Sequence, residues 1–117
     1  MEIYTFDSYI AVINDFIKKN ASRGIKKEIS IAAECKPSYF SRVLKEEVHI
    51  TPDQALSIAE YMKLDPKEVD YFLCLVGRDR CGSLKLKKHY TKKILSFRDS
   101  QKKLSNKIET NYSGPHI

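Results

Sequence analysis

Ser38, Ser41, Arg42 and Lys45 are the side chains in this sequence best suited to recognition. If residues 37–46 are helical, a turn of about 100° per residue puts these four on one side. Phe40, Val43 and Leu44 then fall on the other. The apolar side must pack on neighbouring helices, which leaves the hydrophilic side free to meet a ligand. Hydroxyls, a guanidinium and an ammonium are the donors that phosphate oxygens and base edges require. Arg42 is the strongest candidate, because arginine donates a bidentate pair to guanine O6 and N7 worth about 1–3 kcal/mol of discrimination. Each residue also has a plainer role open to it. Arg42 can pair with Glu46 at i+4 or touch phosphate. Ser38 can serve as a cap-region hydroxyl. Tyr39, on the flank, can lie on a sugar or a thymine methyl, or pack on the first helix at the core rim. Lys26, Lys27 and Lys36 are candidate phosphate contacts, as is Lys45, although a lysine on a helix surface is ordinary.

No catalytic set competes with this face. His49, His89 and His116 stand alone, without a nucleophile or carboxylate in a known pattern. There is no phosphate-cradling glycine loop, no metal-ligand spacing and no cofactor motif. The expectation is a binding protein without metal or cofactor, not an enzyme. Cys35, Cys74 and Cys81 are an odd number, which argues against a disulfide framework and fits a reducing cytoplasm. Cys35 and Cys74 read as small buried hydrophobes.

The elements that must position these residues are helical throughout. The 117 residues make one domain, or one with an appendage. No apolar/polar alternation persists, whereas helical spacing recurs. A first helix starts at Asp7 or Ser8 and runs to about Lys19, with Tyr9, Ile10, Ile13, Phe16 and Ile17 on one face. A second covers about Lys26 to Ala33, with Ile29, Ala33 and the small Ser30 where helices cross closely. A tight break at Glu34 to Lys36 leads to the third, about Pro37 to Glu46. This pair reads as a helix-turn-helix, whose second helix can enter the DNA major groove. Thr51-Pro52-Asp53 and Leu64-Asp65-Pro66 start a fourth and a fifth helix. The fourth buries Ala55, Ile58, Ala59 and Met62. The fifth buries Val69, Phe72, Leu73 and Val76 and is expected to stop at Gly77. After a basic turn at Arg78 to Ser83, a long helix runs from about Leu84 to Ile108. Residues 111–117 read as a frayed, disordered end.

Charge is uneven. Residues 1–77 carry ten Lys/Arg and twelve Asp/Glu, whereas residues 78–117 carry eleven and three. Residues 18–45 alone sum to +6, and the stretch 46–70 is acidic. A phosphate backbone attracts the first and the last of these regions and repels the middle. In the last helix Leu86, Tyr90, Ile94, Phe97, Leu104 and Ile108 fall within roughly 80° of arc. That stripe suits dimerisation through the helix, packing back on the same chain, or docking on DNA or a membrane surface.

Ile29-Ser30, Ala33, SYFSRVL (38–44) and TPDQALSIAEYMKLDP (51–66) resemble the lambda-repressor/Cro class of helix-turn-helix domains. With FDSY (6–9), ITPDQA (50–55) and DYFLCLV (70–76), the arrangement over about residues 4–100 looks like one narrower family. Its members are bacterial regulators that join a diverged Cro-like N-terminal domain to a larger C-terminal domain, absent from this sequence. The resemblance implies a sequence-specific DNA-binding regulator, dimeric in that family's manner. Lys26 would then open the second helix at a phosphate, with Ser38, Tyr39 and Arg42 at or near base edges. The sequence departs from the pattern in having Glu34 or Cys35 where the turn favours glycine. Glu46-Glu47 stand where a glycine commonly follows the third helix.

The expectation is an all-α, five-helix Cro/lambda-repressor-like bundle over 1–77, a basic helix over 78–110 and a tail over 111–117. Its expected function is sequence-specific binding of double-stranded DNA in transcriptional control, as a cytoplasmic homodimer. Ser38, Tyr39, Ser41, Arg42 and Lys45 are placed at bases, and Lys26, Lys27 and Lys36 at phosphates. Leu86, Tyr90, Ile94, Phe97 and Leu104 are placed at the dimer seam. The alternatives are a protein-interaction adaptor that has lost DNA binding and a non-specific nucleic-acid binder using the basic tail. No small-molecule ligand and no membrane partner is evident in the sequence.

Overall fold

The computed structural model describes the backbone of residues 2–113 and the side chains of residues 2–104. Among the described residues it is all-helical. A short 3-10 turn, Ile3–Thr5, precedes α1 (Tyr9–Lys19), α2 (Ile25–Ala32), α3 (Pro37–Leu44), α4 (Pro52–Tyr61), α5 (Pro66–Arg80) and α6 (Leu84–Ser113). The starts follow from local chemistry. The Ser8 hydroxyl accepts from the Ala11 N–H at 3.2 Å and opens α1. Thr51 with Gln54, and Asp65 with Glu68, form complete capping boxes ahead of α4 and α5, each with a proline in the first turn.

The core gathers one face from each helix. Tyr9, Val12 and Ile13 of α1 meet Ile29 of α2, Phe40 and Val43 of α3, Ile58 of α4 and Phe72 and Leu75 of α5, all essentially buried. Phe16 and Ile17 are only half-buried at its edge, and Val12 takes the central place on α1. Ser30 is fully buried, and its hydroxyl donates to the Lys27 carbonyl at 2.7 Å. The small Ser30 and Ala33 therefore sit inside the packing, as close helix crossing requires.

α5 does not stop at Gly77 but continues to Arg80. A Cβ at position 77 would lie 2.5 Å from the ring of Tyr90 on α6. Gly77 is thus a notch for a crossing aromatic. A mid-helix glycine costs about 1 kcal/mol relative to alanine, and seating Tyr90 offsets that cost. The expected basic turn shortens to Cys81–Ser83. α3 ends two residues before the expected Glu46, and α6 runs past 110 to Ser113. Residues 114–117 of the expected tail lie outside the described residues.

α6 folds back on α5 and the N-terminal turn. Ile94 is buried, and Tyr90 and Phe97 are half-buried against the same core. Phe97 joins Tyr4 and Tyr71 in an aromatic triad, with ring centroids 5.0–6.5 Å apart. A polar clasp completes the docking. Asp7 Oδ1 accepts from Arg78 Nη1 at 3.0 Å and from Arg98 Nη2 at 2.9 Å. Arg98 Nε donates to the Tyr71 hydroxyl at 3.0 Å, and that hydroxyl donates to the Phe6 carbonyl at 2.7 Å.

Candidate functional site

The link from α2 to α3 is the four-residue turn Ala33–Lys36. α2 closes with a paired bond pattern: Cys35 N–H to the Ser30 carbonyl and Glu34 N–H to the Ile31 carbonyl, both at 3.0 Å. This Schellman closure needs a left-handed residue, and Glu34 supplies it at φ 55°. Of the two candidates for the glycine position, Glu34 is therefore the one that turns the chain. α3 closes in the same way, with Glu47 N–H bonded to the Arg42 carbonyl at 3.0 Å and Glu46 N–H to the Val43 carbonyl at 2.9 Å. Glu46 takes φ 62° there. Each non-glycine residue in that region costs roughly 1–2 kcal/mol.

Between these closures α3 divides as its periodicity requires. Phe40 and Val43 are buried, while Ser38, Ser41, Arg42 and Lys45 are exposed. Arg42 Nε lies 3.3 Å from Glu47 Oε1, with the two side chains 56% and 52% exposed. An ion pair so open to water contributes about 0–1 kcal/mol and leaves Arg42 free to exchange partners. The partner is Glu47 and not the expected Glu46, because the left-handed turn at Glu46 ends the i+4 spacing.

Tyr39 lies on the flank of α3, as expected. It is half-buried at the core rim, and its hydroxyl donates to the His49 carbonyl at 2.7 Å. The Tyr9 hydroxyl lies 2.9 Å from His49 Nδ1, and burial pushes the Tyr9 pKa up to about 12. Arg80 Nη1 donates to the Ile50 carbonyl at 2.6 Å. Three long side chains thus brace the loop that follows α3. None of the three braces is visible to periodicity, since Tyr9 and Arg80 lie 40 and 30 positions from their partners.

The lysines gather beside this face. Lys26 and Lys27 of α2 line a groove of about 190 Å³ with Ser41 and Lys45 of α3, floored by Phe40 and Leu44. Lys36 stands at the start of α3. The helix starts nearby are unusual. α2 begins at Gly24 (φ 89°) and α3 at Lys36, neither with a side-chain cap. Their first N–H groups lack an intrahelical partner, and the positive end of each dipole sits beside added positive charge. Glu28 in the first turn of α2 partly compensates there. Such an arrangement favours an anion.

The expected dimer seam divides differently. Tyr90, Ile94 and Phe97 pack within the chain, while Leu86 and Leu104 remain 42% and 48% exposed. Ile108 lies beyond the residues whose side chains are described. Burial raises the pKa of the Cys35 and Cys74 thiols above the ordinary value, which keeps them protonated. Among the described residues there is no cluster of His, Cys, Asp or Glu able to hold a metal, and no helix long and apolar enough to cross a membrane. No family model, curated protein or solved structure matches the chain.

Proposed function

We propose that α2 and α3 work as a helix-turn-helix of the lambda-repressor/Cro kind, and that the chain is a sequence-specific double-stranded DNA-binding regulator of transcription. The carrying observation is the exposed face of α3, where Ser38, Ser41, Arg42 and Lys45 stand clear of a side anchored by Phe40 and Val43. On this reading α3 enters the major groove and Arg42 exchanges Glu47 for a guanine edge. Lys26, Lys27 and Lys36, with the uncapped starts of α2 and α3, take flanking phosphates. Tyr39 stands at the flank of this face near the base edges, while its hydroxyl braces the loop after α3. The regulator acts as a homodimer on two half-sites, with Leu104 among the apolar residues α6 leaves for a second copy. It works in the cytoplasm, where DNA is reached.

One observation favours the rival adaptor role. Glu47 occupies Arg42, and Glu46 beside it adds a second exposed acid that a phosphate backbone would repel. Selection of bound sites from a random duplex pool separates the two. A regulator enriches a motif, and a palindromic one reports the dimer. An adaptor enriches nothing. A non-specific binder working through the α6 lysines shows steep salt dependence on any duplex.

A further inference from the structure

A second concavity lies between α5 and α6, on the side of the chain formed by their packing. It is an open groove of about 740 Å³, within the range of small-molecule sites. Leu73, Cys74, Val76, Leu86, Tyr90 and Phe97 supply an apolar lining, with Asp70, Arg80 and Lys93 as its charged members. Asp70, at one end, and Lys93 carry opposite charge, so with Arg80 the lining nets +1. Arg80 marks the other end, ten residues along α5 or about 15 Å at helical rise. Among the described residues Arg80 forms no ion pair, and Asp79 beside it is engaged by Arg78 at 3.5 Å. The groove is therefore an apolar trough with a net positive charge and Arg80 at its head.

We propose that this groove binds an amphipathic monoanion, a medium-length aliphatic carboxylate, with its tail along Leu73 and Phe97 and its head on Arg80. The same guanidinium holds the Ile50 carbonyl, and Pro52 at the start of α4 lines the groove. A carboxylate competes for those N–H donors more strongly than a neutral carbonyl does. Occupancy thus loosens the loop after α3, which gives the proposed regulator a ligand-sensing route. The binding itself does not depend on the DNA-binding reading.

The test uses the full chain without DNA, so its outcome is separate from that of the duplex selection. Calorimetric titration compares decanoate with decyltrimethylammonium, which share a tail and differ in head charge. Decanoate is expected to bind about tenfold tighter, and Arg80→Gln to erase that difference. Leu86→Glu, at an exposed position on the groove wall, is expected to weaken decanoate about tenfold without needing the Arg80 brace. Lys88→Gln, an exposed lysine on α6 outside the lining, should change nothing. Amide exchange at residues 46–51 should quicken when decanoate is present. Equal affinity for the two head groups overturns the proposal, as does decanoate binding untouched by both groove variants or unchanged exchange at saturation. Self-association that Leu86→Glu abolishes and decanoate does not disturb also overturns it, and assigns the groove to a second copy.

Discussion

Thr51 and Asp65 start α4 and α5 with complete capping boxes, whereas Gly24 and Lys36 start α2 and α3 with no side-chain cap. A good cap is worth about 0.5–2 kcal/mol. The α4–α5 half, with α6 laid against it, is assembled from locally favourable choices. The α2–α3 half forgoes them at its helix starts and adds lysines where the dipole repels positive charge. It also closes both helices with glutamates in a left-handed conformation. The contrast is not absolute, because α4 likewise closes on a left-handed Lys63. What separates the two halves is the open, cationic helix start, and that is the feature an anionic partner would complete.

The comparison breaks first if α6 is not part of the stable half. Ile94→Ala, at a buried site, should lower stability by about 2–5 kcal/mol in thermal or urea melts. A melt like that of the wild type would show that α6 rests on the bundle without belonging to its core. Next comes the recognition face. Arg42→Ala should remove about 1–3 kcal/mol of discrimination between a selected duplex and a scrambled one, seen as a loss of preference of about 5- to 150-fold. Its melt should move by no more than about 0.5 kcal/mol, since Arg42 is exposed. Preference that survives the change removes Arg42 from the base-reading role.

Lys36→Asp sharpens the contrast, because it supplies the missing cap. Stability should rise by about 1 kcal/mol, or roughly 4–8 °C in melting temperature, while duplex affinity falls. A lower melting temperature would mean that the start of α3 is not open in the sense argued. The smallest effect concerns Asp7. Burial alone would raise its pKa, but hydrogen bonds and charge from Arg78 and Arg98 hold it below the usual carboxylate value. Its contribution is therefore full above the unfolded value of about 3.9 and disappears as pH falls through the lower folded value. The Asp7 side chain is 71% exposed, so solvent screening keeps the contribution under about 1 kcal/mol. Asp7→Asn should flatten part of the acid decline in melting temperature, and an unchanged decline would remove the clasp from that pH dependence.

Much of this was legible in the sequence, for a physical reason. The division of α3 into Phe40/Val43 and Ser38/Ser41/Arg42/Lys45 depends only on helical pitch, and the Thr51 and Asp65 starts depend on three or four adjacent residues. What escaped depends on partners far along the chain. Gly77 read as a stop because glycine ends helices in isolation, and only Tyr90 crossing over it makes it a notch. The Asp7 clasp joins residues 71 and 91 positions apart and leaves no periodic trace. Tyr39 was ambiguous because its ring lies on the flank of α3, and the distant His49 carbonyl decides its orientation. The groove ending at Arg80 could not be read at all, since it exists only once α5 and α6 are paired.

The seating of Tyr90 over Gly77 also has a mechanical meaning. Two helices joined by a smooth greasy seam can slip lengthwise by one turn. A phenol lodged where a single methyl is missing blocks that slippage, much as a pin fixes a shaft. α6 then behaves as a stiff arm anchored at its root, so a push or pull on its distal portion arrives at α5 as torque instead of being lost as sliding.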